Sequence, residues 1–95
     1  MTPDELRTQG QPPADPALKA LWWAARDDWD SAHGAAQSDS GRDAAWVHAH
    51  LHRVEGDGDN AAYWYGQAGR PVSAEPLHEE WHAIATALLA AQPAA

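Results

Sequence analysis

Residues 47–61 read VHAHLHRVEGDGDNA and contain the end of one helical pattern, a break, and the start of another. Before the break, apolar or bulky side chains recur at the spacing of one helix face: Val47, His50, Leu51 and Val54. The glycines at positions 56 and 58 interrupt this pattern, and Asp57 between them is placed to cap a following helix. The stretch therefore predicts two helices joined by a tight acidic turn.

The same pattern occurs 29 positions earlier in the chain. Asp28 aligns with Asp57, and the Asp-Ser-Ala of residues 30–32 aligns with the Asp-Asn-Ala of residues 59–61. The preceding segments align as well, with Leu18, Ala20, Trp22 and Ala25 on Val47, Ala49, Leu51 and Val54. Alanine-rich helices also resemble one another by chance, but the shared acidic turn favours a true repeat. We interpret the two copies as tandem helical hairpins.

The remaining segments fit one helical domain. The predicted helices cover about residues 16–27, 29–37, 42–55 and 59–68, followed by a last helix from about 73 to 92. This last helix is expected to close the hairpins with an apolar stripe of Leu77, Trp81, Ile84 and Leu88. Residues 1–15 are rich in Pro, Gln and Asp around a single leucine, so we expect a disordered arm there. The domain should therefore span residues 16–92.

Composition supports an all-α fold and narrows the function classes. The 95-residue chain has six tryptophans, no phenylalanine, abundant alanine and few β-branched residues, which favours helices over sheet. It has no cysteine, which excludes disulfides, thiolate metal sites and thiol catalysis. A net charge of −8 with only six Lys and Arg argues against binding to nucleic acid or to an anionic membrane. Without an apolar span or a signal peptide, the expected location is the cytoplasm.

Residues 56–68 (GDGDNAAYWYGQA) resemble the turn and second helix of a tetratricopeptide or Sel1-type repeat. The glycine, small, aromatic and alanine positions of that pattern are filled by Gly56, Ala61, Tyr65 and Ala68. Residues 27–32 match the same turn more weakly, and the first helix departs at positions 45, 48 and 52, where the family has large residues. The resemblance implies two tandem tetratricopeptide-like helical hairpins plus a C-terminal capping helix.

Residues 17–90 also resemble a group of short bacterial proteins without an established activity. The resemblance is carried by residues 45–57, by Asn60, by the aromatic Tyr-Trp-Tyr at 63–65, and by the preceding residues 21–23 and 28–33. It implies a helical fold and supplies no mechanism.

A stripe on the third predicted helix is a candidate binding surface. Trp46, His50 and Arg53 lie at i, i+4 and i+7, and Trp and Arg are enriched at binding hot spots. In a tetratricopeptide-like stack this helix lines the concave groove. We therefore predict that these residues, together with Asn60 and Tyr63, bind a peptide or partner protein. The alternative places Trp46 in the core and pairs Arg53 with an acid such as Glu55 or Asp57. The choice between a monomer and a homodimer stays open.

A second interpretation is that the protein binds a divalent metal such as zinc, as a metal-binding protein or as a metal-dependent hydrolase. His48 and His52 share one face of the third predicted helix, four residues apart, and imidazoles are good ligands for such metals. The alternative for this pair is that both rings are half-buried between helices and hydrogen-bonded there.

His78 and His82 form a second pair within residues 78–82 (HEEWH), which match the H-E-x-x-H motif of zinc proteases. On a helix the two rings could share a zinc ion, with Glu79 as general base. No His, Asp, Glu or Cys follows His82 as a third ligand, so we predict an exposed helix face and not a catalytic site. Metal binding by His48, His52, His78 and His82 stays the alternative to partner binding.

Overall fold

The computed structural model describes residues 1–92, and this part of the chain consists of helices and connecting turns without strands. The six helices are α1 (Pro3–Thr8), α2 (Pro16–Ala24), α3 (Trp29–Gln37), α4 (Arg42–Val54), α5 (Gly58–Ala68) and α6 (Leu77–Ala91). The all-α prediction is confirmed. None of these helices is both long and apolar enough to cross a membrane.

The central element is α4, which packs against α2, α3, α5 and α6. In addition, α2 pairs with its neighbour α3, while α6 also contacts α1 and α2. The main core joins side chains of five helices, and its fully buried members include Leu6, Leu21, Val47, Leu51 and Ile84. A smaller cluster lies between α4 and α5 and consists of Ala49, Ala61 and Tyr65. Burial of these apolar side chains is the main force that holds the helices together.

The α2–α3 and α4–α5 turns have the same backbone conformation, 29 residues apart. Asp27 and Gly56 have φ angles of 58° and 84°, in the left-handed region. The N–H groups of the next residues, Asp28 and Asp57, bond the carbonyl oxygens five positions earlier at 3.2 and 2.8 Å. These bonds close the C-termini of α2 and α4 in the Schellman arrangement.

The same two aspartates begin the following helices. The Asp28 carboxylate accepts a hydrogen bond from the N–H of Ser31, and that of Asp57 accepts one from Asn60, both at 3.1 Å. Each aspartate therefore ends one helix with its backbone and caps the next with its side chain. The two predicted caps are confirmed.

The N-terminal segment differs from the disordered arm expected over residues 1–15. A capping box between Thr2 and Glu5 starts α1, and Leu6 is fully buried in the main core. The indole N–H of Trp22 donates to the carbonyl of Gln9 at 2.9 Å and ties the end of this segment to α2. The low average hydrophobicity of residues 1–15 wrongly predicts disorder, because one buried leucine and a good cap are enough to dock a short helix.

The start of α6 also differs from the expectation. The helix begins at Leu77, after the predicted start near residue 73, because Pro76 disfavours the helical conformation of Glu75 before it. Trp81 and Ile84 are buried as expected, at 7% and 0% exposure. Leu77 belongs to the predicted apolar stripe but is 39% exposed.

Candidate metal centre

Three histidine side chains from two helices converge on one point. His33 comes from α3, and His48 and His52 lie one turn apart on α4, so they share a face. Each residue offers one ring nitrogen, and these three nitrogens all lie within 4.8 Å of one another. His48 and His52 are buried, while His33 is half-buried at the edge of the cluster. We call these three residues the histidine cluster.

Two indole rings flank the histidine cluster. The ring of Trp64 stacks on that of His48, with 3.8 Å between centroids and 11° between planes. Trp29 stacks on His33 in the same way, at 4.7 Å and 12°. Because Trp29 also donates its indole N–H to the carbonyl of Leu51 at 2.7 Å, its ring is fixed in place. The imidazole planes are therefore held by packing before any ligand binds.

Two rings of the histidine cluster, those of His33 and His48, have lowered pKa values. Burial, reinforced by the nearby rings of His33 and His52, lowers the pKa of His48 to about 4. Burial and the neighbouring His52 also lower the pKa of His33. Both rings consequently keep a free lone pair at neutral pH, which is the form that binds a metal ion.

Glu55 orients the third ring. Its carboxylate oxygen Oε1 lies 2.6 Å from Nδ1 of His52. When Nδ1–H donates to this carboxylate, Nε2 becomes the lone-pair nitrogen of the ring. A carboxylate behind a histidine is the usual support of a metal-ligating imidazole, because it fixes the tautomer and raises the basicity of the ring.

A separate buried network surrounds Glu80 of α6, which is 2% exposed. Its carboxylate contacts Nδ1 of His50 at 2.6 Å and Nη1 of Arg53 at 2.7 Å, and it accepts a short hydrogen bond from Tyr65. Burial alone would raise the pKa of Glu80, but the hydrogen bonds from His50, Tyr65 and Arg53 outweigh it and lower the pKa to about 2. Burial and the Glu80 hydrogen bond raise the pKa of Tyr65, which therefore stays a donor.

This network accounts for two of the predicted partner-binding residues. His50 is 3% exposed and held by Glu80, and the Arg53 guanidinium pairs with Glu80 instead of with Glu55 or Asp57. Neither side chain is presented on the surface of α4 in the way that the groove prediction requires. Their spacing on one helix face is real, but that face is covered by α6.

The other predicted partner-binding residues differ in their surroundings, and Trp46 lines a groove together with Glu80. Trp46 is half-buried beneath the guanidinium of Arg70, 3.8 Å from its ring centroid. Asn60 is exposed and its amide donates to Asp57 at 2.9 Å, while Tyr63 is 57% exposed on α5. Because His50 is buried, Trp46, His50, Arg53, Asn60 and Tyr63 do not form one exposed surface.

The predicted metal ligands separate into two groups. His48 and His52 belong to the histidine cluster, whereas His78 and His82 are exposed on α6 and are not part of it. The third member, His33, is not among the predicted ligands. Local spacing carries no signal for it, because His33 lies on α3 and reaches the other two rings only through the packing of α3 on α4.

Comparison of the chain with protein-family models, curated proteins and solved structures found no significant match. The resemblance to tetratricopeptide and Sel1-type repeats accordingly stays a prediction.

Proposed function

We propose that this protein binds one divalent transition-metal ion through His33, His48 and His52. The observation that carries the proposal is the convergence of three imidazole nitrogens within 4.8 Å of one another. In a tetrahedral zinc site with bonds of about 2.0–2.1 Å, ligand nitrogens are about 3.3 Å apart. The rings therefore need to draw together by at most about 1.5 Å, which small side-chain rotations can supply.

The chemistry of the three ligands suits zinc and its neighbours in the first transition series. Imidazole binds Zn²⁺, Ni²⁺ and Cu²⁺ well, and three histidines leave a fourth position for water on a tetrahedral ion. The low pKa values of His33 and His48 reduce competition from protons at neutral pH. Glu55 behind His52 completes the set with an orienting carboxylate.

Binding of the metal is a better supported function than hydrolysis or partner recognition. The groove lined by Trp29 and Trp81 and the groove lined by Trp46 and Arg70 contain none of the three clustered histidines. Recognition of a peptide by Trp46, His50, Arg53, Asn60 and Tyr63 is the competing proposal, and it is weakened by the burial of His50. The metal proposal uses residues that are already adjacent.

The test is a titration of the metal-free protein with Zn²⁺ at pH 7, followed by calorimetry. We expect one ion per chain, and a rise in melting temperature with zinc because only the folded state brings the ligands together. His33→Gln should weaken binding at least tenfold, and His33 is the least buried of the three ligands, so this variant should fold.

The matched controls are His78→Gln and His82→Gln, which change exposed histidines outside the cluster. Both variants should bind zinc like the parent protein. Loss of binding in these controls, with retention in His33→Gln and His48→Gln, would reject the proposed ligand set. Circular dichroism of each variant separates loss of a ligand from loss of the fold.

A further inference from the structure

A groove of about 520 Å³ opens between α1, the C-terminal ends of α2 and α4, and the first turns of α6. This volume is in the range of sites for small organic molecules. His50 and Leu51 lie at the bottom, at 3% and 1% exposure, and Val54 and Leu77 border the opening at 46% and 39%. The exposure of these two apolar side chains is explained by their position at the edge of the groove.

Two tryptophans line the groove and are fixed by their own hydrogen bonds. The indole N–H of Trp81 donates to the carbonyl of Leu21 at 3.0 Å, and that of Trp29 donates to Leu51 at 2.7 Å. Because both donors are used internally, the indoles offer only apolar ring surface to the groove. Rigid aromatic walls of this kind favour a flat aromatic ligand, since little side-chain freedom is lost on binding.

The charged groups at the groove differ from the rest of the protein. The whole chain has a net charge of −8 with neutral histidines, yet the residues that line the groove carry one cation, Arg7, and one carboxylate, Asp27, and include the imidazoles of His50 and His78. Arg7 contacts Asp4 at 3.2 Å, but both side chains are well exposed, at 48% and 77%. Such a surface pair is weak, so Arg7 can exchange Asp4 for a ligand anion at little cost.

We propose that this groove binds a small aromatic molecule that carries one anionic group. The ring lies against Trp29 and Trp81, and the anion lies at Arg7. The site is distinct from the histidine cluster, because none of the three clustered histidines lines it. Trp29 lies beside both sites, because its ring stacks on His33, so the test uses metal-free protein, in which binding at the groove is measured without metal binding.

Three probes with the same ring system test the proposal: naphthalene-2-sulfonate, 2-naphthol and the 2-naphthylmethylammonium cation. Binding is followed by NMR through the indole N–H signals of the six tryptophans in ¹⁵N-labelled, metal-free protein. We expect the sulfonate to shift the signals of Trp29 and Trp81 and to bind more tightly than the naphthol, with the cation weakest. Absence of shifts at both signals, or a cation that binds as tightly as the sulfonate, would overturn the proposal.

Variants locate the site and its charge preference. Arg7→Gln should lower the affinity for the sulfonate about fivefold, as expected for the loss of one exposed ion pair. The affinity for the naphthol should not change. The matched control is Arg70→Gln, because Arg70 covers Trp46 on a different groove. Val54→Trp should fill the groove and abolish binding of all probes at an unchanged melting temperature. The assignment would be contradicted if Arg7→Gln and Arg70→Gln lowered the affinity for the sulfonate equally. It would also be contradicted if the Val54→Trp protein bound the probes as tightly as the parent protein.

Discussion

Nδ1 of His52 lies 2.6 Å from Oε1 of Glu55, three residues later at the C-terminal end of α4. This contact makes Glu55 the residue that orients a proposed metal ligand without binding the metal itself. Glu55→Gln keeps the size of the side chain but removes its charge. We expect it to lower zinc affinity by about tenfold, the usual effect of losing such a carboxylate.

Competition with a chromophoric chelator measures this affinity change directly. Glu79→Gln is the matched control, since Glu79 is exposed on α6. Equal affinities for Glu55→Gln and Glu79→Gln would show that the contact has no role in metal binding.

The low pKa of His48 predicts how the stability of the metal-free protein depends on pH. The folded ring has a pKa of about 4 because of burial and the neighbouring His33 and His52, whereas the unfolded ring has the ordinary value of 6.5. At pH values between these two pKa values, His48 binds a proton in the unfolded chain and does not bind one in the folded chain. Stability should therefore be full above pH 6.5 and fall as the pH drops toward 4, by about 2–3 kcal/mol from this residue.

Urea denaturation at pH 7.0, 5.5 and 4.5 tests this dependence. The substitution His48→Gln removes the titrating ring. The stability of this variant should therefore change less over the same pH interval than that of the parent protein. The contribution of Glu80 falls in a lower range, because its pKa is lowered from 4.5 to about 2 and its stabilisation is lost only as the pH falls through that interval. An identical slope in the parent and in His48→Gln would contradict the prediction.

The paired turns predict opposite effects of two substitutions at equivalent positions. Gly56→Ala places a side chain on a left-handed residue with φ of 84° and should destabilise the protein by about 1 kcal/mol. A Cβ atom there meets no atom within 4 Å, so the cost comes from backbone conformation alone. Asp27→Gly relieves the same conformation, with φ of 58°, and should be neutral or stabilising.

Gly58→Ala is the control for this pair, because Gly58 begins α5 without a positive φ and its Cβ would also meet open space. Alanine is the better helix former, so this substitution should not destabilise. Chemical denaturation of the three variants would settle the comparison, and a Gly56→Ala protein as stable as Gly58→Ala would rule out a left-handed turn at position 56.

Burial of Leu6 predicts that α1 contributes to stability. Leu6→Ala removes a fully buried side chain from the main core and should cost about 2–5 kcal/mol. Val72→Ala is a suitable control, since Val72 is 62% exposed. If the melting temperatures of the two variants coincide, α1 does not dock as described, and the arm is disordered as its composition suggests.

Much of the fold could be predicted from local sequence signals. The left-handed glycines, the capping aspartates and the spacing of apolar residues act within a few positions of the chain, so they located α2 to α5 closely. α1 was not predicted, because its docking depends on a single leucine that fits a core made by distant segments. The start of α6 lies after the position predicted near residue 73, because Pro76 disfavours the helical conformation of the residue before it.

The histidine cluster could be predicted only in part. His48 and His52 follow from helical spacing on α4, but His33 joins them through the packing of α3 on α4, which spacing cannot reveal. For Glu80, in contrast, the local sequence signal predicts the wrong location. A glutamate in the first turn of a helix normally lies in solvent, and its burial depends on three donors that are distant in the sequence.

Glu80 has a consequence for how α6 finds its place. A helix rich in alanine and leucine can slide or rotate on an apolar surface at small cost, since its side chains are nearly interchangeable. The carboxylate of Glu80 must instead meet His50 and Arg53 of α4 and Tyr65 of α5 at once. Any shift of α6 by one residue or one turn leaves these buried groups without their acceptor. Glu80 thus fixes the register of α6, because it selects one position of this helix among several that would bury a similar apolar area.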